Sequence, residues 1–235
     1  MNNEIFILSL SAASIGFLHT LLGPDHYLPF IALSEANGWA KRKTIVITAL
    51  CGIGHVASSI LLGIVGIMLG YALFNLESIE SFRGGVAGWL LVAFGLLYTA
   101  YGIRFTHKNK SHEHLHPHDG DVLHSHRHSH VGNHSHVHAE KSKTTPWILF
   151  IIFIFGPCEP LIPLLIYPAS QHSYFGAGVV SLVFSITTIA TMLLVVLTGK
   201  SIFKFIPLKK FELHIHTLAG LVILLCGISI QFLGL

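Results

Sequence analysis

The sequence has few charged residues. Asp, Glu, Lys and Arg make up 11% of its 235 residues, whereas hydrophobic residues make up 52%. The charges also cluster between long uncharged runs, and about 20 consecutive apolar residues suffice for a helix to span a bilayer. This composition excludes an ordinary soluble domain and indicates an all-α polytopic membrane protein.

Cysteine is equally scarce, and its copies form no recognised pattern. Cys51, Cys158 and Cys226 all fall in apolar segments and none belongs to a C-x-x-C pair, which excludes a disulfide framework and a zinc knuckle. The chain also lacks the G-x-x-x-x-G-K-[ST] loop that cradles nucleotide phosphates. We therefore expect a protein that is not an enzyme, takes no nucleic acid, and draws energy from an ion gradient or a partner chain.

Apolar runs predict six transmembrane helices. They cover residues 5–23, 44–73, 85–103, 146–167, 175–198 and 213–235. A polar segment separates the third run from the fourth. We therefore expect a three-helix repeat at residues 1–104, a disordered histidine-rich loop at 105–144, and a second three-helix repeat at 145–235.

Basic residues predict how the chain lies in the bilayer. Thirteen of the fourteen Lys and Arg residues fall in alternate loops, and only Arg83 lies on the other side. By the positive-inside rule, both termini are extracytoplasmic and the histidine-rich loop is cytoplasmic. We expect a multi-pass protein of a prokaryotic cytoplasmic membrane. The sequence leaves open whether the protein forms a homo-oligomer.

The two halves share a short motif. Residues 23–29 and 156–163 both begin with Gly-Pro. Asp25 and His26 follow in the first segment and Cys158 and Glu159 in the second, and each segment ends with a further proline. Because each half has three spans, the halves would be inverted, with broken first and fourth helices. Inverted repeats with broken helices are typical of secondary transporters, whose substrates bind at the breaks.

Ionisable groups at the first break predict a metal site. His19 and His26 would lie about 10 Å apart along a continuous helix. Gly23 and Pro24 allow the helix to unwind and bring both imidazoles together with Asp25. Imidazoles with a carboxylate suit divalent transition metals, and ionisable groups inside a span are functional by default.

Further groups extend the predicted site. His55 lies in the second span among small residues and would add a third imidazole. Cys158 and Glu159 follow the second Gly-Pro and are candidates for metal binding or proton coupling. The alignment of the halves carries His55 to Thr188, which joins these candidates.

The loop between the halves is rich in histidine. Histidine-rich tracts bind transition metals, so we expect an accessory metal-binding surface there. Its candidates are His112, His114, His116, His118, His124, His126, His128, His130, His134, His136 and His138.

The first-half motifs resemble those of the nickel/cobalt transporter families. Those families carry a histidine, four residues and Asp-His in an early helix, and Gly-His-Ser in the next; here five residues separate His19 from Asp25, and Val56 replaces the serine. The Gly-Pro-Cys-Glu-Pro segment and the histidine-rich loop look closer to the compact six-span branch of the lysine-exporter-like superfamily. That branch includes nickel/cobalt efflux proteins and urease-accessory-type transmembrane proteins. The resemblance implies Ni²⁺ or Co²⁺ as substrate, with His19, Asp25, His26 and His55 as ligands.

These observations predict a secondary transporter of divalent transition metal ions. Nickel or cobalt is the favoured substrate, efflux is slightly favoured over uptake, and we expect no permanently bound cofactor. One alternative is a membrane thiol-disulfide electron carrier of the cytochrome-biogenesis type, whose broken helices each carry a Pro-Cys. Cys158 has that setting, but its counterpart is Asp25, and a relay between two thiols needs both. A third reading is an exporter of a small anion at half-helix N-termini, against which the carboxylates of Asp25 and Glu159 argue.

Overall fold

The structure is a computed structural model that describes residues 2–70, 73–108, 112–116, 124–128, 144–203 and 214–233. In these ranges the regular structure is helical apart from one small sheet. The helices are α1 (Asn2–Leu22), α2 (Leu28–Ala36), α3 (Lys41–Met68), α4 (Leu73–Lys108), α5 (Thr144–Phe155), α6 (Leu161–Ser170), α7 (Tyr174–Phe203) and α8 (Ile215–Leu233). A 3-10 turn, Pro24–His26, lies between α1 and α2.

Five of the described helices are long and apolar enough to cross a membrane, namely α1, α3, α4, α7 and α8. The chain is therefore a multi-pass helical membrane protein. The predicted fourth span does not form one helix: α5 has 12 residues and α6 has 10, each short of the length that a span needs. Pro157 and Pro160 interrupt it because neither can donate a backbone hydrogen bond. The prediction of six spans is thus only partly confirmed.

The outer surface of the helices is apolar. Phe6 on α1, Leu97 on α4 and Phe232 on α8 are each about 70% exposed, at 69%, 71% and 73%. Such large exposed side chains, spread along the long helices, suit contact with lipid tails. The bilayer therefore covers this surface. Most of the buried hydrophobic residues in the described ranges form two inner clusters. One cluster surrounds Phe30 and Met192, and the other surrounds Cys158 and Phe184.

The contact between α4 and α8 depends on glycine. Glycines recur every seven residues on the facing sides of the two helices, at Gly88, Gly95 and Gly102 on α4 and at Gly220 and Gly227 on α8. A Cβ atom at Gly95 would overlap the backbone nitrogen of Leu224. Small residues let membrane helices approach closely and gain van der Waals contact, so these glycines define the spacing of the pair.

The histidine-rich loop contains the sheet. Strands β1 (His112–His116) and β2 (His124–His128) pair antiparallel, with His112 opposite His128, His114 opposite His126 and His116 opposite His124. Of the rest of the predicted loop at 105–144, residues 105–108 belong to α4 and residue 144 begins α5, whereas the others lie outside the described residues. The disorder and the accessory metal binding stay predictions.

Replacing Gly95 with alanine should destabilise the protein. The added methyl group overlaps the α8 backbone, so the helices must separate, at a cost of roughly 1–3 kcal/mol. The matched control is Gly178→Ala on α7, where a Cβ meets nothing within 4 Å and the gain in helix propensity favours alanine. Thermal unfolding in detergent measures both. Equal melting temperatures for the two variants would contradict the close α4–α8 contact.

Candidate functional site

The first helix ends where proline removes a backbone donor. The Gly23 N–H still donates to the His19 carbonyl at 3.0 Å, but Pro24 has no N–H to continue the ladder. Gly23 is extended, with φ −87° and ψ 95°, and the 3-10 turn follows. The predicted break is confirmed, and the turn carries Asp25 and His26 at the junction of α1 and α2.

Three imidazoles meet at this turn. The ring centroids of His19 and His26 are 4.9 Å apart, and those of His26 and His55 are 5.1 Å apart. One ligand nitrogen from each ring lies within 4.8 Å of the others. His26 and His55 are each 3% exposed. The unwound turn and α3 thus bring together the three histidines that the sequence placed in one site.

Asp25 contacts His26 on the side of the ring that carries Nδ1, and it is not part of the group of three ligand nitrogens. Its Oδ1 is 3.1 Å from Nδ1 of His26, and the same nitrogen is 3.2 Å from the Gly23 carbonyl. Both partners are acceptors, so Nδ1 carries the proton and donates to them. In the neutral ring Nε2 then keeps its lone pair, and Asp25 is placed to orient the ring.

The second break has a different chemistry. α5 ends at Phe155, and α6 begins at Leu161 after two prolines. Between them Cys158 is fully buried, and its backbone N–H donates to Oε2 of Glu80 on α4 at 3.2 Å. Glu159 next to it is exposed. The break therefore places a buried thiol beside an accessible carboxylate.

An ion pair on α4 holds this second break. Arg83 donates to Oε1 of the fully buried Glu80 at 2.6 Å and to the Ser58 hydroxyl on α3 at 2.6 Å. It also donates to the carbonyls of Ile154 at 2.8 Å and Gly156 at 3.5 Å. Sequence reasoning missed this pair because residues 74–84 were left between two predicted spans. The signal was a Glu and an Arg three residues apart beside an apolar run.

One cavity joins the two breaks. It has a volume of about 520 Å³, and residues of both breaks line it. From the first half come His19, Asp25, His26 and His55, and from the second come Gly156, Pro157, Glu159 and Pro160. The interior of the protein therefore offers imidazole, carboxylate and a neighbouring thiol around one space.

The remaining sequence candidates lie elsewhere. Thr188 is fully buried on α7, and its hydroxyl lies beside Gly16 of α1, away from the cavity lining. Cys51 and Cys226 are buried within one hydrophobic cluster. Among the accessory histidines, those at 118, 130, 134, 136 and 138 fall outside the described residues.

Comparison with known proteins identifies a family. Residues 29–229 match the family described as "Cytochrome C biogenesis protein transmembrane region". Over 82 residues the chain is 33% identical to "Chloroplast protein FOR GROWTH AND FERTILITY 1" of Arabidopsis thaliana. This aligned segment covers 35% of this chain and 22% of that protein. The chain thus spans well under two thirds of that relative. No solved structure matches the chain.

The family match overturns two expectations. The resemblance to nickel/cobalt transporter families was wrong, and so was the transport of nickel or cobalt that it implied. The resemblance depended on a few residues of the first half, whereas the match covers most of the chain. It begins at residue 29, so His19, Asp25 and His26 precede it, whereas His55 and Cys158 lie inside it.

Removing Arg83 should destabilise the second break. In Arg83→Met the Glu80 carboxylate stays buried without its cation, and the α5 carbonyls lose a donor, at a cost of about 3–5 kcal/mol. Adding Glu80→Gln should restore part of the melting temperature because the buried charge is then gone. Arg104→Met, at an exposed arginine of the same helix, is the control. A melting temperature for Arg83→Met equal to that of the control would contradict this role.

Proposed function

The chain belongs to the family of the cytochrome c biogenesis protein transmembrane region, and from this premise we propose that it is a membrane-embedded carrier of reducing equivalents. The reacting group is the thiol of Cys158. The observation that carries this proposal is the position of Cys158 in the broken α5–α6 segment, between Pro157 and Glu159, which both line the central cavity. The wide family match supports the same class.

The carrier works with one thiol. The three cysteines in the described part of the chain are free, and the residue equivalent to Cys158 in the first half is Asp25. Exchange therefore proceeds through mixed disulfides with partner chains. This differs from an internal disulfide relay, which needs two neighbouring thiols.

Each exchange conserves electrons and protons. The Cys158 thiolate attacks the disulfide of an acceptor protein, forming one S–S bond while the second acceptor sulfur leaves as a thiolate and takes up a proton. One thiolate of a donor dithiol then attacks the Cys158 sulfur and forms a new mixed disulfide, which releases the reduced acceptor. The second thiol of the donor attacks that mixed disulfide, closes the donor's own disulfide and releases the Cys158 thiolate. The sum is two electrons and two protons passed from the donor dithiol to the acceptor disulfide.

Residues around Cys158 fit this chemistry in distinct ways. Glu159 is exposed and lines the cavity, so its carboxylate is the proton acceptor for the thiol. Cys158 itself is fully buried. Reaction with a partner therefore requires the α5–α6 junction to open and its backbone N–H to leave Glu80.

We also propose that the two halves are inverted repeats in a prokaryotic cytoplasmic membrane, with the termini outside and the histidine-rich loop inside. The distribution of basic residues supports this orientation. The helix contacts support the repeat, because exchanging the halves turns the α1–α7 contact into α5–α3 and the α2–α8 contact into α6–α4. The α3–α7 and α4–α8 contacts each join equivalent helices of the two halves, so exchanging the halves leaves them unchanged.

The proposal predicts the effect of removing each cysteine. In a host that lacks its own carrier of this family, Cys158→Ser should reduce covalently attached haem c to the level of the empty vector, because the exchanging sulfur is gone. Cys51→Ser and Cys226→Ser keep Cys158 and should retain the wild-type level. Haem staining of membrane proteins, normalised to the amount of each variant, gives the readout. Wild-type haem c with Cys158→Ser would overturn the proposal.

A further inference from the structure

The three clustered imidazoles share an unusual lack of partners. The Nε2 atoms of His19, His26 and His55 are buried without a hydrogen-bond partner. Another histidine in the described chain shows the ordinary arrangement: Nδ1 of His216 lies 3.0 Å from the Tyr98 hydroxyl. Burying a polar atom without a partner costs free energy. Three such rings facing one another therefore point to a ligand that satisfies them together.

We propose that His19, His26 and His55 bind one transition-metal ion held as a resident of the protein. Three imidazole nitrogens form a donor set that suits zinc, copper or iron in the divalent state. A cation satisfies the lone pairs of all three rings at once, which a hydrogen-bond donor from the protein would do for only one. This inference concerns binding only and goes beyond the proposed thiol exchange, on which it does not depend.

Asp25 completes the arrangement from outside the metal's first coordination sphere. Metal-binding histidines commonly donate their second ring nitrogen to a carboxylate or a backbone carbonyl, which aims the other nitrogen at the ion. Nδ1 of His26 has both kinds of partner, Oδ1 of Asp25 at 3.1 Å and the Gly23 carbonyl at 3.2 Å. The free Nε2 of His26 is then directed toward the other two rings.

The geometry requires a modest closure. The ligand nitrogens lie within 4.8 Å of one another, whereas nitrogens about 2.0–2.1 Å from a tetrahedral zinc ion are about 3.3 Å apart. Rotations of the rings that shorten the nitrogen–nitrogen distances by up to about 1.5 Å bring them to that spacing. The three rings line the central cavity, which provides the entry path and leaves the fourth coordination position open to water.

Two glycines leave the room that the rings need. A Cβ atom at Gly23 would lie 2.6 Å from Nδ1 of His26, and one at Gly156 would lie 3.0 Å from Nδ1 of His55. Gly23 has a negative φ, so alanine fits the backbone there and displaces the His26 ring and the Asp25 carboxylate. Gly23→Ala therefore disturbs the site while keeping every ligand.

The test uses the full-length chain with the twelve histidines between residues 107 and 138 replaced by serine, because the loop would bind metal itself. This protein keeps six histidines, namely His19, His26, His55, His172, His214 and His216. The metal-free protein is loaded with Zn²⁺, desalted and analysed for zinc per chain by mass spectrometry. Loading with Cu²⁺ then gives the number of nitrogen ligands from electron paramagnetic resonance.

We expect about one Zn²⁺ per chain and the spectrum of a nitrogen-ligated Cu²⁺. His55→Gln should lose the zinc, whereas the control His216→Gln, at a half-buried histidine outside the cluster, should keep it. Asp25→Asn and Gly23→Ala keep all three ligands and should weaken zinc affinity about 10–100-fold, which remains measurable if His55→Gln fails to fold.

Three results would overturn the inference. They are a loop-substituted protein that binds no zinc, equal zinc in wild-type and His19→Gln, His26→Gln and His55→Gln proteins, or unchanged affinity in both Asp25→Asn and Gly23→Ala. The Cys158→Ser variant separates this site from the proposed function, because it should lose thiol exchange and keep zinc. Loss of zinc there would mean a thiolate ligand and would be a fourth result against a site of three histidines.

Discussion

The structure depends on how backbone groups are satisfied where two membrane helices break. Lipid tails offer no hydrogen bonds, so an unpaired N–H or C=O inside a bilayer costs several kcal/mol. At the second break Arg83 donates to the carbonyl of Ile154, and Glu80 accepts the N–H of Cys158. At the first, a 3-10 turn and the ring of His26 engage the Gly23 carbonyl. Irregular backbone at membrane depth persists because side chains replace the missing helical bonds.

The two breaks face one cavity but carry different chemistry. The first supplies imidazoles and a carboxylate, whereas the second supplies a thiol next to an accessible carboxylate. Gly156 of the second break lies against His55, which belongs to the first half. A movement that opens the α5–α6 junction to expose Cys158 would therefore also displace the His55 ring and change the geometry of the imidazole cluster. The Glu80–Arg83 pair, which links α3, α4 and α5, keeps that junction closed in this structure.

Local chemistry was enough to predict the breaks. Gly23 and Pro24 end α1 as expected, and the convergence of His19 and His26 follows from the unwinding that proline imposes. Long-range packing was harder to predict: α4 extends through Glu80 and Arg83 because the two charges neutralise each other, which a hydropathy pattern does not register. The place of Asp25 behind His26 depends on the turn's dihedrals, and Thr188 packs on α1 although the repeat aligns it with His55.

The family assignment shows a different limit of sequence reasoning. A histidine, an Asp-His pair and a Gly-His pair describe a type of metal chemistry that can arise in unrelated families, and His19, Asp25 and His26 lie before the matched residues. Cys158 lies within the match, yet a lone cysteine in an apolar run reads as a packing residue. The sequence made Cys158 only one candidate among several, and the break, the cavity and the family together support the thiol exchange that we propose for it.

The most direct measurement is the redox state of Cys158 in cells, by acid quenching, alkylation of free thiols and mass spectrometry of its peptide. A single-thiol carrier predicts a fraction of Cys158 joined by a disulfide to a partner protein, with Cys51 and Cys226 alkylated as free thiols throughout. The fraction should rise when the supply of donor dithiols is limited. A Cys158 that is a free thiol under every condition, including oxidative load, would contradict thiol exchange at the second break.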